Sequence, residues 1–332
     1  MNKTRIAWTD MTWNPVTGCT KVSAGCKNCY AEKVFPRPYP GRKFTDVQCH
    51  PDRLEQPLRI RKPKKIFVNS MSDLFHEDVI DFIPDVFAIM ALAHWHTFQV
   101  LTKRPERMLE IINDDVFRDT VDACISMYLE NPDRPPSLQW DSSARRTDDA
   151  RATAPDVTDD KYWPLPNVWL GISAENQETF MQRMKIFKDV PAAVKFLSAE
   201  PLLGEIEMYK SGTTTTPAHD YLVYVDWVVT GGESGAFSKV RPCALEWIES
   251  IIKQCDNYRI PCFVKQLGYK VVSEYRTAPA DMMSKPEKLK PEDYAPNGEV
   301  WAWVAGLQDR KGADPAEWPK EYRIQQFPGE TL

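Results

Sequence analysis

Residues 66–112 read IFVNSMSDLFHEDVIDFIPDVFAIMALAHWHTFQVLTKRPERMLEII and alternate apolar runs with segments of helical period. The runs at 66–70 and 97–102 are short, nearly continuous and rich in β-branched residues, which is typical of strands buried on both faces of a parallel sheet. The segments at 81–93 and 105–112 repeat apolar residues at helical spacing, and the second opens with proline at a first-turn position. The stretch therefore predicts a strand–helix–strand–helix unit.

The same alternation continues along the chain. Further strands are predicted at 168–173, 194–198, 227–232 and 262–266, and further helices at 175–188 and 244–255. Alternating strands and helices predict an α/β fold with a parallel sheet. Their number favours a full or partial TIM-like (β/α) barrel over residues 1–272, with a doubly wound open sheet as the alternative.

Three segments do not follow this alternation. Residues 130–166 are rich in Pro, Asp, Arg and Ser and have no apolar period, which predicts an irregular insertion or lid within the barrel. Residues 211–220 predict a second loop. The Pro- and charge-rich tail at 273–332 predicts a C-terminal extension that wraps around the barrel.

Composition restricts the class of protein. The chain has 332 residues, a hydrophobic fraction of 42% and a formal net charge of −5. This charge argues against a protein that coats nucleic acid, although it leaves room for a local basic groove. The sequence has no apolar run near the roughly 18 residues of a membrane span, and its N-terminus has no apolar signal core. We therefore expect a cytoplasmic protein with no membrane contact.

Three of the eight cysteines crowd into eleven residues. Cys19 is followed by six residues, Cys26, two residues and then Cys29, with Tyr30 directly after it. In a cytoplasmic chain of this length we do not expect a disulfide scaffold. The Cys-x2-Cys pair places two thiolates on one tight turn, and Cys19 can return to them across a glycine-containing loop. The spacing predicts one metal centre.

Three thiolates without an evident fourth ligand favour a [4Fe–4S] cluster with one open iron, which can bind a substrate or a cofactor such as S-adenosylmethionine (SAM), as it does in radical SAM enzymes. A structural zinc site needs four ligands. Zinc, with His50 or His76 as the fourth ligand, is the alternative.

Five motifs carry a resemblance to a known family. They are TWNPVTGC (12–19), MSDLFH (71–76), LTKRP (101–105), SAEPL (198–202) and GGES (231–234). In these motifs the chain resembles the phage Gp37/Gp68 family of radical SAM-like proteins. It departs from the usual radical SAM signature, Cys-x3-Cys-x2-Cys with an adjacent aromatic residue, in the length of the first gap.

The resemblance implies a radical SAM-type barrel that uses a [4Fe–4S] cluster, SAM and an external electron donor. It also implies cleavage of SAM to methionine and a 5′-deoxyadenosyl radical. The substrate would be a modified thymine, in DNA or as a nucleotide, which the enzyme rearranges during phage DNA hypermodification in the host cytoplasm. Such an isomerase or lyase would protect viral DNA from restriction. A DNA photoproduct lyase, a non-catalytic zinc module that binds nucleic acid and a host-interaction protein are the alternatives.

Polar residues follow the predicted strands, where a barrel collects its functional groups. Lys103 or Arg104 would pair with the SAM carboxylate or a substrate phosphate. The SAM amine, ribose and adenine need further polar and aromatic partners. The full set of expected cofactor contacts is Tyr30, Ser70, Lys103, Ser173, Glu175, Glu200 and Glu233. No catalytic residue is assigned.

Two of these expectations have alternatives. The Gly-Gly-Glu triplet at 231–233 follows a late strand, so the methionine-binding role that such a triplet has in radical SAM enzymes does not transfer by position. We expect Glu233 to point into the barrel mouth. His76 follows a strand–helix junction, where capping of the helix by Ser72 or Asp73 competes with metal ligation.

Residues 53–65 carry six basic residues against one glutamate. The segment fits either a nucleic-acid backbone, with a salt-dependent contribution from each phosphate contact, or a solvated connector.

Overall fold

The computed structural model describes residues 1–130, 156–210, 219–235, 239–273, 302–303, 307, 309 and 311–329. The chain divides into two compact units. The first unit is Met1–Lys21, Ala31–Ile172 and Asp189–Lys195, and the second is Val22–Tyr30, Ser173–Lys188 and Phe196–Leu332. Most of the predicted insertion, loop and C-terminal extension lies outside the described residues.

Within the described ranges, most strands are short and the longest have six residues. They are β1 (Asn2–Lys3), β2 (Met11–Trp13), β3 (Val16–Thr17), β4 (Gln48–Cys49), β5 (Lys65–Val68), β6 (Thr97–Thr102), β7 (Val168–Ser173), β8 (Val194–Ala199), β9 (Tyr209–Lys210), β10 (His219–Asp220), β11 (Trp227–Gly231), β12 (Cys243–Ala244), β13 (Cys262–Gln266), β14 (Val271–Ser273) and β15 (Ala302–Trp303). The α-helices are α1 (Tyr30–Val34), α2 (Ile83–Leu92), α3 (Pro105–Ile112), α4 (Asp115–Glu130), α5 (Gln177–Phe187) and α6 (Leu245–Tyr258).

The first unit contains a parallel run of strands. β2 pairs with β5, β5 with β6 and β6 with β7, all parallel, and β1 adds to β2 in the antiparallel direction. The strands predicted at 97–102 and 168–173 are confirmed with those bounds. The prediction missed β2, which has only three residues and therefore no readable alternation.

Helix packing in the first unit includes one helix, α4, that was not predicted from the sequence. Nine of the ten residues of α2 are buried, so this helix lies inside the unit and not on its surface. Helix α4 packs against it with Phe117, Val121 and Ile125 buried at intervals of four residues. Although this period is legible in the sequence, we did not predict α4. Trp163 lies near the end of the predicted insertion and packs against Phe117 at 6.0 Å between ring centroids.

The second unit has its own parallel strands, with β11 paired to both β8 and β13. Helix α5 follows a capping box in which the Asn176 side chain accepts from the Thr179 N–H and the Thr179 hydroxyl accepts from the Asn176 N–H. Helix α6 ends at Arg259 in a left-handed conformation. The strands and helices predicted for this unit are present, with ends that differ from the expected bounds by up to three residues.

The described part of the C-terminal tail pairs with β13. The Val264 N–H donates to Ile324 O at 2.8 Å, and the Gln326 N–H donates to Cys262 O at 2.9 Å. The Trp227 indole N–H also donates to Gln326 O at 2.8 Å. The tail therefore satisfies backbone groups that β13 would otherwise present to a pairing partner.

The fold is a mixed α/β fold with parallel strands in both units, as the sequence predicts. In the described part of the chain, no helix combines the length and apolarity that a membrane crossing requires.

Candidate metal and cofactor site

The connection from β2 to Cys19 is fixed by the segment that follows β5. The Asn14 side-chain oxygen accepts from the Ser70 hydroxyl at 3.1 Å and from the Met71 N–H at 3.0 Å. The Ser72 hydroxyl donates to Val16 O at 2.9 Å. The first two motifs of the sequence therefore meet in the structure, side by side, just before the first cysteine.

Gly18 occupies a position that other residues would strain. Its φ is +95°, and a Cβ atom there would lie 2.5 Å from the carbonyl oxygen of Asp46. The Gly18 N–H donates to Met71 O at 3.1 Å. Because glycine alone adopts this conformation at low cost, the Thr-Gly-Cys sequence of the motif has a steric reason and delivers Cys19 at a defined point.

Asp73 joins the second motif to the third. One of its carboxylate oxygens accepts from the Thr102 hydroxyl at 2.7 Å and from the Phe75 N–H at 3.0 Å. The other accepts from the Lys103 N–H and from Arg104 Nη1, both at 3.1 Å. Asp73 and Arg104 are both buried. The carboxylate thus fixes the guanidinium of Arg104 in one orientation.

Arg104 contacts the first cysteine directly. Its Nη1 lies 3.8 Å from Cys19 Sγ, and its Nη2 donates to the Thr20 hydroxyl at 2.8 Å. Burial alone would lower the pKa of Arg104, but Asp73 and Cys19 outweigh it, and the pKa is raised. A permanent cation beside a sulfur stabilises negative charge on that sulfur, whether as a free or a metal-bound thiolate.

His76 is buried in the same region, with 0% of its surface exposed. Its Nε2 lies 2.9 Å from the Thr20 hydroxyl, and its Nδ1 accepts from the Asp78 N–H at 3.2 Å. Burial and the nearby Arg104 lower its pKa. His76 itself caps the short helix Glu77–Phe82, whereas Ser72 or Asp73 was the expected cap. Zinc ligation by His76 would break one of these hydrogen bonds.

In the second unit, Cys26 and Cys29 lie on a tight turn. Cys26 ends the short 3₁₀ helix Ala24–Cys26, and the Cys29 N–H donates to Cys26 O at 3.3 Å. The Ser23 hydroxyl lies 4.0 Å from Cys26 Sγ. The geometry is the one expected for a Cys-x2-Cys pair. Tyr30 follows at the start of α1 and has 49% of its surface exposed.

Glu175 contacts the segment that carries Cys26 and Cys29, at the residue just before Cys26. One carboxylate oxygen accepts from the Gly25 N–H at 2.9 Å, and the other accepts from Arg183 Nη1 at 3.0 Å. Glu175 has 0% of its surface exposed, and Arg183 is buried. The same Arg183 nitrogen donates to Ser173 O at 2.6 Å. This glutamate, predicted as a cofactor contact, is therefore part of a buried ion pair that reaches the segment's backbone.

Glu233 holds the segment at two more points. Its Oε2 accepts from Asn28 Nδ2 at 2.8 Å and from the Arg241 N–H at 2.9 Å, and its Oε1 accepts from Arg241 Nη2 at 2.5 Å. Arg241 Nη1 donates to Ala24 O at 2.8 Å. Burial alone would raise the pKa of Glu233, but the hydrogen bonds from Arg241 and Asn28 outweigh it and lower the pKa.

The two carboxylate oxygens of Glu200 differ in their hydrogen bonds. Its Oε2 accepts from Lys265 Nζ at 3.0 Å, while its Oε1 is buried without a hydrogen-bond partner in the described residues, as is the Thr230 hydroxyl. A Cβ on the neighbouring Gly231 would lie 2.9 Å from Glu200 Oε1 and 2.6 Å from Gln266 O. Among the predicted cofactor contacts, Glu200 thus keeps a buried acceptor without a hydrogen-bond partner in the described residues.

The remaining predicted contacts have partners within the chain. The Ser70 hydroxyl bonds Asn14, the Ser173 hydroxyl donates to Glu200 O at 2.9 Å, and the Lys103 backbone bonds Asp73. The structure thus places Ser70, Lys103 and Arg104 around the Cys19 segment, and Glu175 and Glu233 against the segment of Cys26 and Cys29. The sequence interpretation did not assign roles to Asn28, Arg183 and Arg241, and it considered Asp73 only as a helix cap.

The three cysteines supply the thiol donors that iron–sulfur and zinc centres use. They form no disulfide, and all three are of intermediate exposure. Within the described ranges, no three His, Cys, Asp or Glu side chains lie close enough to form a ready metal site. The fit of the cysteines to a cluster therefore rests on their chemistry and their spacing in the sequence.

The basic segment at 53–65 divides into two parts. Arg53 is structural, because its Nη1 donates to Asn14 O at 3.3 Å and to the Tyr39 hydroxyl at 2.9 Å. Arg59, Arg61 and Lys62 are exposed. Burial, followed by the charges of Arg53 and Arg59, lowers the pKa of the N-terminal amine.

Comparison with known proteins gives one match. No curated protein and no solved structure matches the chain. A family model described as "Protein of unknown function (DUF5131)" matches residues 3–304, which is most of the chain. The protein belongs to the DUF5131 family.

Proposed function

We propose that the protein is a radical SAM enzyme in which Cys19, Cys26 and Cys29 hold a [4Fe–4S] cluster. One observation carries this proposal: three cysteines in the pattern Cys-x6-Cys-x2-Cys-Tyr lie in the connection that follows β2, the first strand of the parallel run, after the two-residue strand β3. A cysteine loop after the first parallel strand is the arrangement that the resemblance implies.

A cluster held by three cysteines keeps one iron open for the amino and carboxylate groups of SAM, and when reduced it supplies the electron that cleaves SAM. The chain's own residues have separate tasks. Arg104 stabilises the negative charge on Cys19 Sγ. The exposed ring of Tyr30 is available to stack on adenine.

Glu200 is the best supported ligand contact. Its buried Oε1 has a vacant acceptor position, and Lys265 holds the carboxylate in place through Oε2. An unpaired buried acceptor is costly unless a donor reaches it. The amine or a ribose hydroxyl of SAM provides such a donor.

The zinc alternative has a specific cost at His76, because both of its ring nitrogens are in hydrogen bonds. Ligation by His76 would exchange one of these bonds for a metal bond. His50 Nε2 lies 2.7 Å from the Thr17 hydroxyl, and ligation through this nitrogen would displace that contact.

The architecture of the active form is proposed as a partial (β/α) barrel of the radical SAM type. The parallel strands of each unit, each followed by polar residues, support this proposal. Glu175, Glu200 and Glu233 follow strands β7, β8 and β11, where such a barrel has its site.

The substrate proposal is a modified thymine, in DNA or as a nucleotide, that undergoes radical rearrangement during phage DNA hypermodification. It rests on the resemblance to the Gp37/Gp68 family. The exposed Arg59, Arg61 and Lys62 support contact with a phosphate backbone. An external electron donor and a host-cytoplasmic setting belong to the same proposal.

The test is the formation of 5′-deoxyadenosine from SAM by anaerobically reconstituted protein. We expect product that depends on reductant, and none from a Cys26→Ser variant. Lys27→Gln is the matched control, because Lys27 lies next to Cys26, is exposed and makes no side-chain bond in the part of the chain that the structure describes. An intact cluster that yields no 5′-deoxyadenosine would contradict the proposal.

A further inference from the structure

We propose that Glu233 with Arg241, and Glu175 with Arg183, are positioning residues that hold the segment Val22–Tyr30 in its metal-binding conformation. The inference rests on the proposed function only for the identity of the metal. The way the segment is held is a property of the chain alone.

The contacts bracket Cys26. Before this cysteine, Arg241 Nη1 donates to Ala24 O at 2.8 Å and the Gly25 N–H donates to Glu175 Oε1 at 2.9 Å. After it, Asn28 Nδ2 donates to Glu233 Oε2 and to Lys239 O, both at 2.8 Å. Each contact acts on the backbone or on a side chain between the cysteines, and none uses a sulfur atom.

The two glutamates have little capacity left for a ligand. Both oxygens of Glu233 bond Arg241, and one of them also bonds Asn28. Glu175 is fully buried and divides its oxygens between Gly25 and Arg183. Carboxylates that are buried, ionised and paired in this way are rigid, and breaking one partner is costly. Holding the segment therefore explains them better than binding a cofactor does.

The segment depends on these anchors. Its internal hydrogen bonds include the short-range bonds of Cys26 N to Ser23 O, Lys27 N to Ala24 O and Cys29 N to Cys26 O. Most of its residues are exposed or half-buried. A single 3₁₀ turn of this kind is marginal by itself, so the ion pairs supply the order that two metal ligands require.

The test uses Asn28→Asp in the full-length, metal-free protein. This change replaces a donor with a carboxylate at the same position, 2.8 Å from Glu233 Oε2, so attraction becomes repulsion without a change in size. We expect amide hydrogen exchange in Val22–Tyr30 to accelerate about tenfold or more, because a hydrogen bond to a charged group is lost. The Lys27→Gln control in the same segment should exchange as the wild type does.

A second variant, at another anchor, separates positioning from the particular change made at Asn28. Arg241→Met removes the bond to Ala24 O and both side-chain bonds to Glu233, and we expect it to accelerate exchange in the same residues. Iron bound after anaerobic reconstitution should fall in both variants. The urea midpoint of unfolding should stay close to the wild-type value in Asn28→Asp, since Asn28 is half-buried on a surface segment.

Unchanged exchange in Asn28→Asp would overturn the positioning role, whatever metal the protein binds. Faster exchange in Val22–Tyr30 in both Asn28→Asp and Arg241→Met would support it, even if the wild-type protein contains zinc. In that last case the positioning role stands and the radical SAM proposal fails, so the two failures are distinguishable.

Discussion

The two ends of the cysteine motif are contacted in different ways by their ion pairs. Beside Cys19, the cation Arg104 contacts the sulfur itself, and Asp73 fixes the arginine. Around Cys26 and Cys29, the anions Glu175 and Glu233 contact the backbone and an amide of the segment. The first arrangement acts on the charge of a ligand atom, whereas the second acts on the path of the chain.

We therefore expect the Cys19 end and the Cys26–Cys29 end of the motif to respond differently to mutation. Loss of a cation at a sulfur changes the electrostatics of a bound metal more than its occupancy. Loss of a hydrogen bond that holds the chain first lowers the fraction of the protein that binds metal, because the ligands are no longer held in a fixed geometry.

The largest expected effect is that of Arg183→Met in the second unit. It leaves the fully buried Glu175 carboxylate without its charge partner. We expect unfolding free energy to fall by about 3–5 kcal/mol, the cost of breaking a buried pair. Urea denaturation of the metal-free protein measures it. The surface variant Glu249→Gln, which breaks only the exposed pair with Lys253, is the control. A loss no larger than that of the control would contradict the buried ion pair.

Arg104→Met should have a smaller effect on stability and a separate effect on the metal. Asp73 would keep three other donors, from Phe75, Thr102 and Lys103. We therefore expect a loss of about 1.5–3 kcal/mol, as for one hydrogen bond to a charged group. The reduction potential of the reconstituted cluster should become more negative, since a cation next to the sulfur is removed.

Arg104→Lys provides the matched comparison, because it keeps the charge and changes the geometry. We expect its cluster potential to lie between those of the wild type and Arg104→Met. A potential that does not differ between the wild type and Arg104→Met would show that the contact with Cys19 Sγ has no electrostatic role.

Thiol labelling should separate the motif cysteines from the core cysteines. Cys243, Cys255 and Cys262 are buried, and burial raises the pKa of Cys243. Because the thiolate is the reactive form, these three should stay unlabelled by a disulfide reagent in the native, metal-free protein, and at most five of the eight cysteines should react. Rapid labelling of six or more in the folded state would contradict the packing of the second unit.

The smallest expected effect is on the pH dependence of stability, through two buried histidines of the first unit. Burial lowers the pKa of His76 and of His96 below the ordinary value of 6.5. The unfolded chain therefore binds more protons than the native one as pH falls below 6.5, and stability must decrease there. We expect the stability lost between pH 7.5 and 5.5 to be smaller in His76→Gln than in the wild type, by urea denaturation at each pH. Equal losses would mean that His76 is not held neutral.

Much of the fold was readable because parallel strands and amphipathic helices leave strong local patterns. Strand β6 and helix α3 have the predicted bounds. Strand β2 was missed because three residues carry no period. Helix α4 was missed although Phe117, Val121 and Ile125 show its period, because its charged residues obscured the apolar face.

Only part of the candidate site could be predicted from the sequence. The cysteine spacing and the strand-end position of Glu175, Glu200 and Glu233 come from local sequence. Which glutamate keeps a vacant oxygen does not, because that depends on tertiary partners. Arg183 and Arg241 are each eight residues from the glutamate they pair with, and no sequence pattern marks such a pair.

Electron paramagnetic resonance of the reduced, anaerobically reconstituted protein is the direct test of a [4Fe–4S] cluster whose open iron binds SAM. With three cysteine ligands and one open iron, we expect about four iron atoms per chain and a spectrum that changes when SAM is added. Stoichiometric zinc without iron after anaerobic purification, or a cluster spectrum that SAM leaves unchanged, would contradict the account.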